Sequence, residues 1–290
     1  MVKATHPTAE KIAVAFDFDD TLVPSTYDTF IEYLGMDATE FRQQVYDPLK
    51  ADGWDPISAR FYSFINYSKS RSNSSEKITR ETIREFGQSL QPFAGVTDMF
   101  HRLQETATAI VPQVEVEFYL ITSGFVEMAR SCKIADCFKA MWGPEFHYSE
   151  SGEIEFLKRS LDHPAKPRYL YYISKGVRDD DSRDDILFVY EDVPPAELAI
   201  PLPQVIYVGD GDSDIPCFAM LNREGGTAIG VYPEGSAQQW ADHYQPSQGE
   251  RVSNLALADY SAGSELMKSL TLAVEGICKK IQLQQLSTAK

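Results

Sequence analysis

Within AVAFDFDDTLV, residues 13–23, three carboxylates fall in four consecutive positions directly after an apolar run: Asp17, Asp19 and Asp20. Like charges so close repel, and Asp is a poor strand former, so the cluster brings no structural gain. A second apolar run, QVIYVG at 204–209, leads into Asp210, Asp212 and Asp214 of GDGDSD. A third, ending in LIT at 120–122, leads into Thr122, Ser123 and Gly124 before the helix-like FVEMARSC. Should these ends meet, up to six carboxylates share a pocket, which is intolerable without a cation. Oxygen ligands favour a hard ion, with Mg2+ the first candidate. Thr122 and the amides of a helix N-terminus supply the opposite capability, anion binding. Carboxylates, a hard cation and an anion cradle together point to phosphoryl chemistry.

Each motif alone says less. The alternation of Asp210, Asp212 and Asp214 resembles the start of a calcium loop. Its sixth position is Ile215 rather than Gly and its twelfth Leu221 rather than Glu, so that reading fails. GDGDSD by itself reads equally as an acidic turn, and TSG as a plain strand-to-helix cap. DFDDTL is the stronger signal.

The elements that must position these groups follow from pattern. IAVAF at 12–16 is a short continuous apolar run, as a strand buried on both faces would be. VEVEFYLIT at 114–122, QVIYVG at 204–209 and, more weakly, TAIGVY at 227–232 repeat the theme, with helical stretches between. Such alternation predicts an α/β fold, a Rossmann-like doubly wound parallel sheet, whose ligands bind beyond the carboxyl ends of the strands. From 24 to 92 the chain is instead helical in pattern and rich in Phe and Tyr, as in FIEYLG, ATEFRQQVYDPL, SARFYSFINYS and EKITRETIREFGQSL. That is too long for an ordinary connection. The expected organisation is a core of 1–23 and 93–290 with an inserted α-helical domain at 24–92, Ser74 or Ser75 capping its last helix. FHYSESGEIEF at 146–156 reads as a hairpin, with Ser-Gly in the turn. KPRYLYYISKG at 166–176 reads as a helix with Pro167 in the first turn and Gly176 as C-cap, and VRDDDSRDD at 177–185 as an acidic loop. A last amphipathic helix at 264–283 carries Leu266, Leu270, Val274, Ile277 and Ile281 on one side.

Composition excludes several classes. A net charge of −16 with no Lys/Arg-dense stripe argues against nucleic acid as a partner. Four cysteines without a CxxC pair give neither a zinc site nor a disulfide framework. No apolar run has signal-peptide or membrane-spanning length, so the expectation is a soluble cytoplasmic protein with no membrane partner. Oligomeric state is not legible.

DFDDT, ITSG, a lysine and GDGDSD, in that order and mostly after apolar strands, resemble the haloacid dehalogenase superfamily over most of the chain. GDGDSDIPCF and the SGF turn are most similar to its phosphoserine-phosphatase-like branch, and the insertion sits where the superfamily carries a C1-type cap. The resemblance implies a Mg2+-dependent phosphatase acting on a small phosphorylated substrate through an aspartyl-phosphate. Asp17 would be the nucleophile, and Asp19 the acid for the leaving alkoxide and then the base for water. Mg2+ would be held by Asp17, the carbonyl of Asp19 and Asp210, with Asp214 in support. Thr122, the amide of Ser123, Gly124 and a lysine would hold the phosphoryl group. Lys166, which precedes a helix-like segment, suits that lysine better than Lys175, which ends it. Thr21 and Asp20 are expected to be structural. His163, close to Lys166, could approach the site, with a surface place favoured, and Arg60, Lys69 and Arg71 could reach a substrate anion, with solvated charges favoured. A phosphotransferase or mutase, and a non-catalytic binding module on the same fold, are the competing readings.

Overall fold

In the computed structural model of the chain, which describes residues 10–73, 76–176, 186–235 and 252–288, the first strand sits at the centre of the sheet. This strand, β1 (Lys11–Phe16), is fully buried from Ile12 onward, and its alternation divides the interior. Ile12, Val14 and Phe16 join the core on one face, Ala13 and Ala15 that on the other. Small alanines on the second face leave room for large neighbours. Ala15 stands between Tyr119 and Tyr207 in register, both fully buried.

The helical segment predicted after β1 is present. It runs through α1 (Thr26–Tyr33), α2 (Ala38–Phe41), a π-helical turn (Arg42–Tyr46), α3 (Asp47–Ala51), α4 (Pro56–Ser70) and α5 (Arg80–Ser89). Asp55 caps α4 by accepting from the amides of Ile57 and Ser58. α5 starts later than its pattern suggested. Thr79, not a serine at 74 or 75, is its N-cap, in a reciprocal box with Thr82. Ser74, Ser75, His6 and the acidic stretch 177–185 lie outside the described residues.

After α6 (Val96–Ile110) come β2 (Glu115–Ile121), α7 (Val126–Ser131) and β3 (Ala140–Trp142). The hairpin β4 (Glu145–Tyr148) and β5 (Ile154–Arg159) turns at Gly152, with φ 82°. Then follow α8 (Pro167–Lys175), ended by Gly176 at φ 98°, α9 (Ile186–Tyr190), β6 (Val205–Gly209), α10 (Ile215–Glu224), β7 (Thr227–Tyr232) and β8 (Asn254–Leu257). The last helix, α11 (Glu265–Thr288), buries the predicted Leu266, Leu270, Val274, Ile277 and Ile281. β3 and β8 were not anticipated. They have three and four residues, too few for any periodicity to show.

The order β3-β2-β1-β6-β7-β8, all parallel, reverses direction between β1 and β6. The register pairs Phe16 with Leu120 on one side and Val208 on the other, so three carboxyl ends lie level. The hairpin leaves the sheet and binds the chain entering α5. The Arg80 amide donates to the Gly152 carbonyl at 2.8 Å, and that of Ile154 to Ile78 at 3.0 Å. Phe146 packs against Phe61 of α4 and Phe125, at 4.6 and 5.6 Å between centroids. Among the described residues no helix is long and apolar enough to cross a membrane.

The register is held at the opposite end of the strands by one buried carboxylate. Glu117 accepts from Lys11, Lys139 and Tyr119, which ties β2 to β1 and to the residue before β3. Glu117→Gln should lower the urea midpoint by an amount equivalent to about 2 kcal/mol. This is less than the 3–5 of a fully buried pair, because both lysines keep contact with water. An unchanged midpoint would show that the strands hold register without it.

Candidate active site

The level strand ends place Asp17, Thr122 and Asp210 side by side, each one residue beyond its strand. The Asp17 amide extends the ladder by donating to the Val208 carbonyl at 2.9 Å, which fixes the direction of its side chain. Asp17, Asp19, Asp20, Thr122, Ser123, Gly124, Asp210 and Asp212 all line one cavity of about 290 Å³. Asp214 lies beneath it, fully buried.

Lys166 settles the choice between the two lysines in space. Its ammonium is 3.0 Å from Asp17 Oδ1 and 2.7 Å from Asp214 Oδ1, and it also donates to the Ser213 hydroxyl at 3.1 Å. Lys175 instead donates to the carbonyls of Phe188, Val189 and Glu191 at the end of α9. Burial opposes the charge on Lys166, but Asp17 and Asp214 outweigh it and raise its pKa. It stays an ammonium.

Asp214 also accepts from the Tyr207 hydroxyl at 2.6 Å and, through Oδ2, from the Gly211 amide at 3.3 Å. Gly209 is required there, since a Cβ would overlap the Asp214 carboxyl. Asp17, Asp210 and Asp214 each offer an oxygen within 4.8 Å of the others. Three carboxylates face one ammonium, and Asp17 Oδ1 makes no aligned hydrogen bond despite its ion pair. Burial first, then Asp214 and Asp19, push the Asp17 pKa up to about 7 against the pull of Lys166. Burial, Asp17 and Asp214 raise that of Asp210 well above its ordinary value. A buried all-oxygen donor set short of positive charge could hold a hard cation.

The Asp19 carboxylate stands apart from that trio. Its Oδ1 accepts from the Thr26 amide at 2.5 Å, at the first turn of α1, and its Oδ2 occupies space that a Cβ on Gly124 would need. Asp20, at φ 52°, accepts from the Ser25 amide at 3.1 Å, as a loop-fixing residue would. It also lines the cavity, where burial and Asp19 raise its pKa to about 6. On the anion side, the Thr122 hydroxyl accepts from the Gly124 amide at 2.8 Å, and the buried Ser123 hydroxyl has no partner among the described residues. Thr21 is buried, and its carbonyl accepts from Tyr260 at 2.9 Å.

The far wall is built from residues that the sequence reading either passed over or held as the less favoured alternative. It consists of Tyr27 of α1, Arg60 and Phe61 of α4, Phe125, and His163 in the turn before Lys166. His163 therefore lines the cavity instead of lying free at the surface. Burial and the Lys166 charge lower its pKa. Arg60 sits 5.6 Å from the Tyr27 ring centroid and makes no ion pair among the described residues. A signal for Tyr207 existed: it occupies the strand position two before Gly209, the parity of Asp17 on β1. No local pattern marked the others, which come from distant elements.

No protein family model matches the chain. It is 26% identical to an uncharacterized protein of Borreliella burgdorferi over 93% of this chain and 98% of that one. Among solved structures it resembles a HAD-family hydrolase of Salmonella enterica serovar Typhi, with TM-score 0.58 and 14% identity over 91% of this chain and 71% of the other. It also resembles a phosphoserine phosphatase solved as a phospho-aspartyl intermediate analogue, with TM-score 0.54 and 14% identity over 90% and 98%. The fold is that of the haloacid dehalogenase-type hydrolases, with phosphoserine phosphatases among its structural neighbours.

The crowded carboxylates predict a pH signature. Folded Asp17 holds its proton to about pH 7 against an ordinary 3.8, so the folded chain binds that proton more tightly than the unfolded one. Stability of the metal-free protein should fall as pH rises between those values, and a divalent cation should restore it, more at pH 8 than at pH 5. Asp210→Asn should remove the cation-dependent rise in melting temperature. A rise that survives in that variant would place the cation elsewhere.

Proposed function

We propose that the chain is a Mg2+-dependent phosphatase that hydrolyses a small phosphate monoester through an aspartyl-phosphate on Asp17. The observation that carries this reading is the placing of Asp17 at the cavity floor, 3.0 Å from the Lys166 ammonium and beside the Thr122–Ser123 loop. The likeness to a phosphoserine phosphatase caught as a phospho-aspartyl analogue supports it.

In the proposed reaction the phosphoryl group rests against the Thr122 hydroxyl, the Ser123 and Gly124 amides and Lys166. An oxygen of Asp17 attacks phosphorus, the ester P–O bond breaks, and the Asp19 carboxyl gives its proton to the departing alkoxide. Water then attacks the phosphoryl group, Asp19 takes its proton, and the bond to Asp17 breaks to release inorganic phosphate. Mg2+ held by Asp17, the Asp19 carbonyl, Asp210 and Asp214 would neutralise phosphate charge, so that one anion can approach another. Lys166 orients Asp17 and offsets charge on both sides of the bond being made.

The helical segment 24–92 would act as a cap that excludes water, since Tyr27, Arg60 and Phe61 close the cavity from above. A volume of about 290 Å³ suits a phosphate ester of a few carbons rather than a nucleotide. Arg60, a cation without an ion pair among the described residues, would face the alcohol portion.

Hydrolysis of a generic aryl phosphate in Mg2+, abolished by EDTA and by Asp17→Asn, is the expected result. Equal inactivity of wild type and Asp17→Asn across a broad panel of phosphate esters would favour a binding module. Turnover that requires an added alcohol and yields its phosphate ester would point to a phosphotransferase.

The two aspartates should also separate. Asp19→Asn should slow both formation and breakdown of the aspartyl-phosphate, about 100-fold or more, yet keep Mg2+ affinity. Loss of Mg2+ binding in that variant would contradict the assigned role. Arg60→Ala should raise KM about 10-fold with little change in kcat, read by steady-state kinetics on the best ester of the panel.

A further inference from the structure

One face of α11 remains uncovered among the described residues. Leu272, Leu283 and Leu286 are 67, 66 and 67% exposed, although the helix already buries a complete inner face against the core. With Gly276 and Lys279 they form an outer row whose steps are four, three, four and three residues. That is the spacing of a coiled-coil seam rather than of scattered surface leucines.

Gly276 is the second observation. Glycine inside a helix costs about 1 kcal/mol relative to alanine. Among the described residues nothing demands it here, since a Cβ at 276 would meet no atom of theirs within 4 Å. Its φ is not left-handed, so no backbone need explains it either. A notch in an exposed leucine row suits an incoming side chain.

We propose that α11 pairs with α11 of a second copy of this chain, antiparallel about a two-fold axis that lies between Gly276 and Lys279. Heptad positions of an antiparallel pair meet so that the two residue numbers in every layer share one sum. The axis puts Leu272 against Leu283 of the second copy, and Lys279 against Gly276 of the second copy. Leu286 then meets Ser269 of the second copy. The pattern is self-complementary, as an isologous contact requires.

The aliphatic stem of each Lys279 fills the opposing notch. Its ammonium, 3.7 Å from Glu275 of its own helix, gains Glu275 of the second copy as another neighbour. Flanking positions bring Glu275 against Gln282 and Ala273 against Lys280 across the axis, so no like charges oppose. A polar residue within an apolar seam fixes register and copy number at some cost in strength. The paired length, residues 269–286, is about 27 Å of helix, and an interface of roughly 1,000 Å² belongs with the small, weak and reversible ones.

Sedimentation equilibrium of the full chain up to about 100 μM should show a reversible monomer–dimer equilibrium. Leu283→Glu should weaken it at least 10-fold, by roughly one heptad layer's contribution. Gly276→Leu should weaken it as much while leaving the melting temperature of the monomer unchanged or higher, because leucine is the better helix former. That variant guards against misreading a folding defect.

In a Cys137→Ser background, which removes the exposed cysteine, Leu272→Cys with Leu283→Cys should give a disulfide-linked dimer on mild oxidation. Leu272→Cys alone should not, since in this register the two copies of that position stand about 16 Å apart along the axis, and only a parallel pair or a shifted antiparallel one would bring them together. A wild-type chain that stays monomeric throughout overturns the proposal. So does a dimer indifferent to Leu283→Glu, or one cross-linked by Leu272→Cys alone.

Discussion

A single ammonium, that of Lys166, stands between Asp17 and Asp214 in a region closed to water, and the rest of the site is arranged around that shortage of positive charge. Burying ions is costly, and one pair would be the economical solution. Here three carboxylates offer oxygens within 4.8 Å of one another beside one ammonium. Tyr207, Gly211 and Lys166 all donate to Asp214, while Asp17 has only its ion pair with Lys166, which leaves Asp17 and Asp210 under-compensated and their proton affinity raised. A protein that keeps such a deficit keeps a place for further positive charge.

The fold supplies what this deficit requires. Parallel strands with level carboxyl ends deliver three loops to one edge, and the reversal of winding between β1 and β6 leaves a crevice there. Ala13 and Ala15 make the face below the site thin enough for Tyr207 to reach Asp214 and for α8 to bring Lys166 in. Glu117 ties β2 to β1 and to the residue before β3 at their other end. Above the site, the hairpin ties the aromatic layer of Phe61, Phe125 and Phe146 to the strand ends, so the far wall of the cavity has a defined position.

Asp19 links the two halves. One oxygen bonds the first turn of α1 while the other reaches toward Gly124 in the loop after β2. Any change in the angle of α1 therefore moves this carboxyl relative to Asp17. Asp20, two residues beyond a buried Phe18 partner of the core, takes the left-handed conformation that lets the chain turn from strand to helix and bonds the Ser25 amide in doing so.

Local patterning carried the types of the longer elements, the burial of the first strand on both faces and the order of the acidic and hydroxyl-bearing ends. Those depend on local periodicity, on glycine and proline punctuation, and on carboxylates whose placement has no structural benefit. The inner face of α11 and the ends of α8 at Pro167 and Gly176 were legible too, because capping and amphipathic spacing are local. Tertiary structure decided the rest: that Lys166 and not Lys175 meets Asp17, that Thr79 caps α5, that the Asp19 carboxylate stands apart from Asp17, Asp210 and Asp214, and that Tyr27, Arg60, Phe61 and His163 close the cavity. It also decided that β3 and β8 exist, since three- and four-residue edges take their structure from pairing. In a parallel sheet neighbouring strands are separated in sequence by whole helices. Which side chains meet is then set by register and by packing across the two faces, and neither is written in any local pattern.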